Sequence, residues 1–388
     1  MHEGLFENEY RMSYEAYETL LSILKPLLLR KEYNSRSKDP ILPEHIVATG
    51  MRYLCGGRAT DMRHVVHTCR AASYKAIDDF IDAVNLAPEL NISLPRSDEE
   101  WKTINNGWRK RSSIPHIYHG CVGAMDGFFQ PTDRPTEKEA VNVLAYYSGH
   151  YESYGLNCQA MVQDDLQFRY FGVVSPGCTN DNVSYPRAVD LKYVIDNLPR
   201  GLYIVADAAY NLSENVLTPF TGSQRHDRSN DSFNYHLSQL RIRVEMAFGY
   251  MVNKFRILRK KLECSMEKNT AILMACARLH NFILQQDRPY DKVRTVSYFT
   301  DSDDDELDLE ITPLPTAPLG MTYMPQLPDD TFEMYIGVSH TRDAIVEELR
   351  HQDIGRPMSN LIRKREELKK QHTSLSGDII DREFFSPL

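Results

Sequence analysis

The chain has 388 residues, of which 42% are apolar, and this is enough for two or three domains with buried cores. Its formal net charge is −9, so any nucleic-acid binding must come from a locally basic surface. The seven cysteines form no CxxC pair, which argues against a disulfide framework or a structural zinc site. The sequence has neither a signal-peptide core near its start nor a run of about 18 apolar residues, so we expect an intracellular protein without a membrane span.

Helical patterns fill the first part of the chain. Apolar residues recur at helical spacing over residues 13–30, where Ser13 is placed to cap the helix and Pro26 to kink or end it. A second helix follows Pro43 and stops at a Gly-Gly pair. A short helix, a turn and a longer helix ending near Ala87 come next.

The last three of these helices fit two arrangements. In a helix-turn-helix, the final helix would present its N-terminal end to the DNA major groove. An ordinary helical bundle fits the same pattern equally well, and three aspartates along the final helix would repel phosphates unless they face away. The side chains that would meet base edges are Arg70, Ser73, Tyr74 and Lys75.

The pattern changes after residues 89–115, which we predict to be a linker because of their prolines and their Asn-Asn-Gly run. Four short apolar runs follow, with a helical pattern between the third and the fourth, which predicts the order βββαβ. A long amphipathic helix is predicted over 235–262 and a buried helix over 270–286. Together they predict a mixed α/β domain over residues 116–286.

Charge is segregated along the chain. Residues 225–261 contain nine basic and three acidic side chains, so a basic surface is expected on and before the long helix. Residues 287–310 contain nine acidic and three basic side chains, and prolines follow, which predicts a solvated linker over 287–330. Two further charged helices are predicted within 339–372.

Three carboxylates of the α/β domain are placed to meet. Asp126 and Asp207 each come at the end of an apolar run, and the ends of neighbouring strands converge at one edge of a sheet. Glu245 lies beside the apolar stripe of the long helix. Such a cluster favours divalent cations with oxygen ligands, because like charges otherwise raise one another's pKa. Two Mg²⁺ or Mn²⁺ ions held there would suit phosphodiester cleavage.

Each member of this cluster also has a purely structural explanation. Asp126 precedes Gly127, a common turn pair, and Glu245 could be the i+4 partner of Arg241 on a solvated helix face. If the three carboxylates form a metal site, the surrounding basic side chains would bind the DNA backbone. These predicted phosphate contacts are Arg241, Arg243, Lys254, Arg256, Arg259 and Lys260, besides Arg70 and Lys75 of the helical region.

Eight motifs resemble the catalytic domain of PIF/Harbinger-type DDE superfamily transposases, the superfamily of the Harbinger transposase-derived nuclease. Two of them depart from the usual pattern, since FFQPT follows the first motif in place of a Thr-His-Ile type continuation, and ADAAY replaces Gly-Asp-x-x-Tyr. In chain order the motifs are GAMDG (123–127), YYSGHYESYGLNCQA (146–160), SPGCTNDN (175–182), ADAAY (206–210), LTPF (217–220), SQLRIRVEMAFG (238–249), KFRILRKKL (254–262) and CARLHNF (276–282).

The resemblance implies an RNase H-like mixed sheet flanked by helices, with an N-terminal helix-turn-helix region. It implies a metal-dependent DNA endonuclease or transposase in which Asp126, Asp207 and Glu245 are the catalytic metal ligands for two Mg²⁺ or Mn²⁺ ions. The implied substrate is double-stranded DNA with terminal inverted repeats, cleaved and joined by a homo-oligomer. A nuclear location is implied. The family also suggests a Myb-like helper protein that assists import and DNA recognition, and without it the chain could stay cytoplasmic. A domesticated, catalytically silent DNA-binding or partner-binding protein is the alternative.

Four further residues in these motifs have structural interpretations. Asp181 takes the place of an acidic residue in a family loop, and we favour a loop-stabilising Asx turn for it. His280 and Asn281 are expected to satisfy buried backbone groups, and Cys276 to lie in the core. The predicted organisation is an N-terminal helix (1–39), a helix-turn-helix-like unit (40–88), a linker (89–115), the RNase H-like DDE domain (116–286), an acidic and proline-rich linker (287–330) and C-terminal helices with a tail (331–388).

Overall fold

The structure is a computed structural model, and it describes residues 3–32, 41–287 and 338–357. The strands are β1 (Cys121–Pro131), β2 (Tyr147–Ser148), β3 (Ser153–Val162), β4 (Phe168–Pro176), β5 (Tyr203–Val205) and β6 (Val216–Leu217). The helices are α1 (Glu3–Tyr10), α2 (Tyr14–Glu32), α3 (Pro43–Leu54), α4 (Ala59–Val65), α5 (Arg70–Leu86), α6 (Asp98–Arg111), α7 (Asp181–Ser184), α8 (Val189–Asp196), α9 (Arg228–Lys254), α10 (Met266–Asp287) and α11 (His340–His351).

Helix α2 begins where the sequence predicts. The Ser13 hydroxyl accepts a hydrogen bond from the backbone N–H of Ala16 at 3.1 Å and donates one to the Asp287 carboxylate at 2.5 Å. The helix continues through Pro26 to Glu32 instead of ending there. Its leucine stripe is buried, and this packing offsets the single backbone hydrogen bond that a proline removes.

The triplet α3, α4 and α5 confirms the predicted helix, short helix, turn and helix. Gly50 of α3 lies against the Phe80 ring of α5, where any side chain would clash, so the two helices approach closely. The far side of α5 packs on α10, and the side-chain amide of Asn85 donates to the Ala271 carbonyl at 2.9 Å. One buried core joins the triplet to the α/β domain, and α5 is packed from both sides. Such packing occurs in both the helix-turn-helix and the bundle arrangement.

The prediction of a linker over 89–115 is wrong for its central part, which forms α6. The Ser97 side chain caps this helix, and acidic residues in its first turn and basic residues in its last turn complement the helix dipole. The Asn-Asn-Gly run that suggested a turn lies inside the helix, because burial outweighs local preference. The buried side chains are Trp101, Ile104 and Trp108.

The sheet confirms the predicted βββαβ order and the α/β class. Strands β1, β3 and β4 pair antiparallel, whereas β5 pairs parallel to β1 and β6 parallel to β5, in the order β4-β3-β1-β5-β6. The short β2 pairs with the start of β3. A parallel neighbour on one side of β1 and an antiparallel one on the other make this a mixed sheet.

Helix α9 crosses the sheet, and its bounds differ from the predicted 235–262. It starts at Arg228, capped by the Asp227 carboxylate, and it ends at Lys254. The following residues turn back to the sheet, where the Leu262 backbone N–H donates to the Pro131 carbonyl at 3.0 Å. That pairing with the end of β1 requires extended backbone and therefore ends the helix early.

Helix α10 confirms the predicted buried helix, and its polar side chains have the predicted structural roles. Asn281 accepts from the backbone N–H of Phe168 and donates to its carbonyl, both at 2.7 Å, and His280 contacts the Leu166 carbonyl at 2.9 Å. Cys276 is fully buried.

The predicted C-terminal helices are described only in part. Helix α11 confirms the first of the two helices predicted within 339–372. The predicted linker after Asp287 and the second helix lie outside the described residues. Among the described helices, none is long and apolar enough to cross a membrane.

Candidate active site

Two aspartates are brought to one level by the pairing of β1 with β5. The parallel register sets Ala124 opposite Val205, so Asp126 and Asp207, each two residues farther on, reach the same height. Strand β5 ends at Val205, whereas β1 continues to Pro131. Asp126 therefore lies in the middle of its strand and not at the predicted strand end, and the open edge beside it results from the end of β5.

Helix α9 brings Glu245 to the same place. Asp126 and Phe128 point to the same face of β1 because alternate strand residues do so. The Phe128 ring packs on Phe248 of α9, with 5.1 Å between ring centroids. Glu245 lies about one helical turn before Phe248, so it reaches the level of Asp126.

Arg241 lies between two of these carboxylates. Its Nη1 atom is 2.5 Å from Oε1 of Glu245 and 3.6 Å from Oδ2 of Asp126. The predicted i+4 pair with Glu245 is therefore present, but the arginine also reaches across to the sheet. Its side chain is only 27% exposed, so this is not a pair on an open helix face.

The electrostatics around Asp126 are unfavourable for a charged carboxylate. Burial, reinforced by the Asp207 and Asp181 carboxylates, raises the pKa of Asp126 to about 8, although the Arg241 guanidinium opposes the shift. Its Oδ1 accepts a hydrogen bond from the backbone N–H of Gly127 at 2.9 Å. The Asp207 carboxylate accepts one from the backbone N–H of Ala209 at 2.9 Å.

Asp181 lies on the opposite face of β1. A side chain at Gly127 would clash with its carboxylate, so the glycine makes room for an acid directly behind Asp126. The carboxylate accepts hydrogen bonds from the side-chain amides of Gln159 at 2.9 Å and Asn157 at 3.3 Å. The predicted Asx turn is wrong for this residue, because Asn180 makes the local cap and Asp181 bonds to β3.

A network that the sequence analysis missed supports this carboxylate. Gln159 is fully buried, and its carbonyl accepts a hydrogen bond from the Tyr210 hydroxyl at 2.7 Å. Nearby, the exposed Tyr151 ring stacks on Phe129 with centroids 4.3 Å apart. Burial, followed by the charges of Asp181 and Asp126, raises the pKa of Tyr151. Tyr151, Gln159 and Tyr210 stand inside two of the quoted motifs, but nothing in the spacing of these motifs indicates the contacts.

The donor atoms of this site suit a divalent cation, but the side chains are not arranged around a single cation position. It offers only oxygen donors and carries more negative charge than Arg241 neutralises, which is the environment hard cations favour. Within residues 3–32, 41–287 and 338–357, however, no three acidic, histidine or cysteine side chains converge in a form that could hold a metal ion. The structure thus brings the predicted ligands near one another without assembling them.

The predicted phosphate contacts along α9 do not share one surface. Arg243 lies toward Asp164, where it and Arg111 partly oppose the rise that burial causes in the pKa of that carboxyl. The Lys254 ammonium donates to the Arg11 carbonyl at 2.6 Å, and burial lowers the pKa of Lys254 to about 8. Lys254 is therefore engaged inside the protein, contrary to its predicted contact with DNA.

The remaining basic residues are more accessible. Arg259 and Lys260 are exposed and Arg256 is half-buried, and all three follow α9 where the chain returns to the end of β1. At the start of α5, Arg70 and Lys75 are exposed.

Ser73 corrects the predicted set of base contacts. It is 2% exposed and its hydroxyl lies 2.9 Å from that of Thr68, so it cannot meet base edges. Tyr74, in contrast, is 40% exposed.

Comparison with known protein families gives a match over the residues that form this site. Residues 125–281 match the family described as DDE superfamily endonuclease, a span that begins at Met125 and includes all three predicted acidic ligands. The match covers less than half of the chain. Residues 125–281 are therefore similar to DDE superfamily endonucleases, and the mixed sheet flanked by helices in this region is consistent with an RNase H-like fold. Comparisons with curated proteins and with solved structures found no significant match.

Proposed function

We propose that the protein is a divalent-metal-dependent DNA endonuclease or transposase of the PIF/Harbinger type, with Asp126, Asp207 and Glu245 as its metal ligands. The observation that carries this proposal is the position of Asp126. This largely buried carboxylate stands level with Asp207, beside the Glu245–Arg241 pair. Its pKa is raised first by burial and then by the Asp207 and Asp181 carboxylates, and a divalent cation would stabilise its charged form.

The residues of this chain would have distinct roles. Asp126 and Asp207 would hold metal at the edge where β5 ends, and Glu245 would complete the set from α9. When bound, two Mg²⁺ or Mn²⁺ ions would activate a water or a 3′-hydroxyl and stabilise the leaving oxygen. Arg256, Arg259 and Lys260 would bind backbone phosphates on the approach to the site.

The wider assembly follows from the same proposal. The substrate is double-stranded DNA with terminal inverted repeats, and the exposed start of α5, with Arg70 and Lys75, provides a second contact. We further propose a homo-oligomer, a nuclear location and a Myb-like helper protein. The acidic run at 301–310, which could dock the helper but which we interpret as part of a solvated linker, lies outside the described residues.

A DNA-cleavage assay tests the catalytic assignment. Purified protein is incubated with duplex DNA carrying the terminal repeats and either Mg²⁺ or Mn²⁺, in parallel with Asp126→Asn, Asp207→Asn and Glu245→Gln. We expect cleavage by the wild type and a loss of at least about 100-fold in each variant, since each removes a metal ligand. Asp133→Asn, at an exposed aspartate just beyond the C-terminal end of β1, is the matched control.

The alternative is a catalytically silent DNA-binding or partner-binding protein. One observation favours it, because the acidic side chains are not assembled into a metal site and an arginine stands between two of them. Equal cleavage by the wild type and Asp126→Asn would overturn the assignment of Asp126 as a metal ligand, whereas no cleavage by either protein while DNA is still bound would support this alternative.

A further inference from the structure

Arg241 holds two predicted metal ligands that come from different elements. A single nitrogen, Nη1, contacts Glu245 on its own helix and Asp126 on β1. An ordinary i+4 ion pair on a helix would not include a contact with Asp126 on β1. Here the guanidinium stands where a cation shared by the two acids would have to sit.

A metal ion and this guanidinium cannot both occupy that position. Mg²⁺ draws oxygen ligands to about 2.0–2.1 Å, and it would need the carboxylate oxygens that now face the arginine. Both species are cations, so each weakens the binding of the other. This competition accounts for the incomplete cluster, since the acids near Arg241 are already held by it.

We propose that Arg241 is a latch: it occupies the cation position between Asp126 and Glu245, and it must swing out before metal can bind. This inference rests on the ligand set of the proposed function. The Arg241 side chain is 27% exposed, so it is in contact with solvent and is not enclosed by the protein. Once released, the guanidinium would remain beside the acids, where its planar donors suit a DNA phosphate.

The latch couples metal binding to substrate binding. An arginine that leaves the carboxylates loses two ion-pair contacts, and a phosphate offers it a replacement. DNA should therefore tighten metal binding, and by reciprocity metal should tighten DNA binding by the same factor. In Arg241→Gln this mutual enhancement should be lost.

Direct measurement of Mn²⁺ binding tests the latch without any catalytic step. Free Mn²⁺ is followed by electron paramagnetic resonance in the absence of DNA, for the wild type and Arg241→Gln. We expect Arg241→Gln to bind Mn²⁺ about 10-fold more tightly, within the usual range of coupling between sites. Arg243→Gln is the matched control because it removes the same charge from the same helix but faces Asp164, and it should change the affinity far less.

The outcomes separate the latch from the proposed ligands. Equal Mn²⁺ affinity in the wild type and Arg241→Gln, with binding abolished by Asp126→Asn, would overturn the latch and keep the metal site. Equal tightening by Arg243→Gln would also overturn it, by showing a general charge effect. Failure of both the wild type and Arg241→Gln to bind Mn²⁺ would overturn both proposals.

A second measurement protects the test against poor folding of the variant. The wild-type protein is crystallised and soaked in MnCl₂, and the Arg241 position is compared with that in the metal-free crystal. We expect Nη1 to have left both carboxylates. A bound ion with the Asp126–Arg241–Glu245 contacts intact would refute the latch.

Discussion

At the residue scale, the electrostatics of the site depend on whether the Asp126 carboxylate is charged. Asp126 is largely buried, feels the charges of Asp207 and of Asp181 behind it on the opposite face of β1, and has one arginine partner. Each of these features follows from its place on β1: the end of β5 leaves space for Asp207, and Gly127 leaves space for Asp181. The same residue at an exposed turn would have none of these neighbours.

Removing this charge should stabilise the metal-free protein in a pH-dependent way. Because the pKa of Asp126 rises from 3.8 to about 8 on folding, its unfavourable contribution appears as pH increases from about 4 to about 8 and is complete above that. In EDTA, Asp126→Asn should therefore be more stable than the wild type by at least about 1.4 kcal/mol at pH 8.5, the equivalent of one pKa unit. Thermal unfolding from pH 4 to 9 measures the difference.

The exposed Asp133 gives the matched control for this prediction. Asp133→Asn makes the same chemical change just beyond the C-terminal end of β1 and should show no difference that grows with pH. A stability gain in Asp126→Asn that is as large at pH 4 as at pH 8.5 would contradict the assigned pKa.

At the element scale, β3 connects the start of α7, where Asp181 lies, with the segment that follows β5. Its Gln159 side chain bonds to Asp181 and Tyr210 at once. Helix α6 fixes the other end of β1 by burying two tryptophans. The segments that carry the three predicted ligands are therefore held in place by residues that are far from them in sequence.

Breaking the Gln159 network should destabilise the domain. Gln159→Leu leaves the Tyr210 hydroxyl without its acceptor and the Asp181 carboxylate without its closest donor, and each buried polar group left unpaired costs about 1–3 kcal/mol. Urea unfolding measures the loss. Gln285→Leu, which alters an exposed glutamine of α10, should change stability little, and an equal loss in the two variants would count against the network.

Helix α6 should be as important to stability as a core helix. Trp108 is fully buried, and Trp108→Ala should cost about 3–5 kcal/mol in urea unfolding, whereas Trp108→Phe should cost much less. If residues 98–111 were the linker that their Asn-Asn-Gly run suggests, both substitutions would have negligible effects.

At the scale of the whole molecule, α11 returns to the α/β domain and is fixed there by polar contacts. The Glu214 carboxylate accepts hydrogen bonds from the backbone N–H groups of His340 and Thr341 at the start of the helix. Beyond its end, the Arg356 guanidinium donates two hydrogen bonds to Asp231 of α9, at 2.7 and 2.8 Å. The C-terminal segment therefore braces the helix that carries Arg241 and Glu245.

Loss of the Arg356 contact should loosen this segment. Arg356→Ala removes a bidentate, half-buried charge pair worth about 1.5–3 kcal/mol, so backbone amides of residues 338–357 should exchange with solvent about 10- to 150-fold faster. Hydrogen exchange with mass spectrometry measures the rates. Arg350→Ala removes only an exposed ion pair with Glu347, and similar acceleration in that variant would show that Arg356 is not the anchor.

Periodicity and motifs in the sequence were enough to predict most elements of the fold. The α3–α4–α5 triplet, the βββαβ succession along the chain and the buried α10 were all predicted, because apolar spacing reports directly which face of an element is buried. The motifs also indicated the three acids that the endonuclease family match contains. The α6 helix was missed because its turn-like residues are outweighed by tryptophan burial, which no local signal measures.

Only the tertiary structure decided how the site residues stand relative to one another. Sequence spacing could place Asp126 and Asp207 on neighbouring strands, but the parallel register sets them level and the early end of β5 opens the edge. It could pair Arg241 with Glu245, but the reach of that guanidinium to Asp126 depends on how α9 crosses the sheet. Residue type and periodicity are local properties of the chain, whereas charge coupling depends on distances between distant segments, which only packing determines.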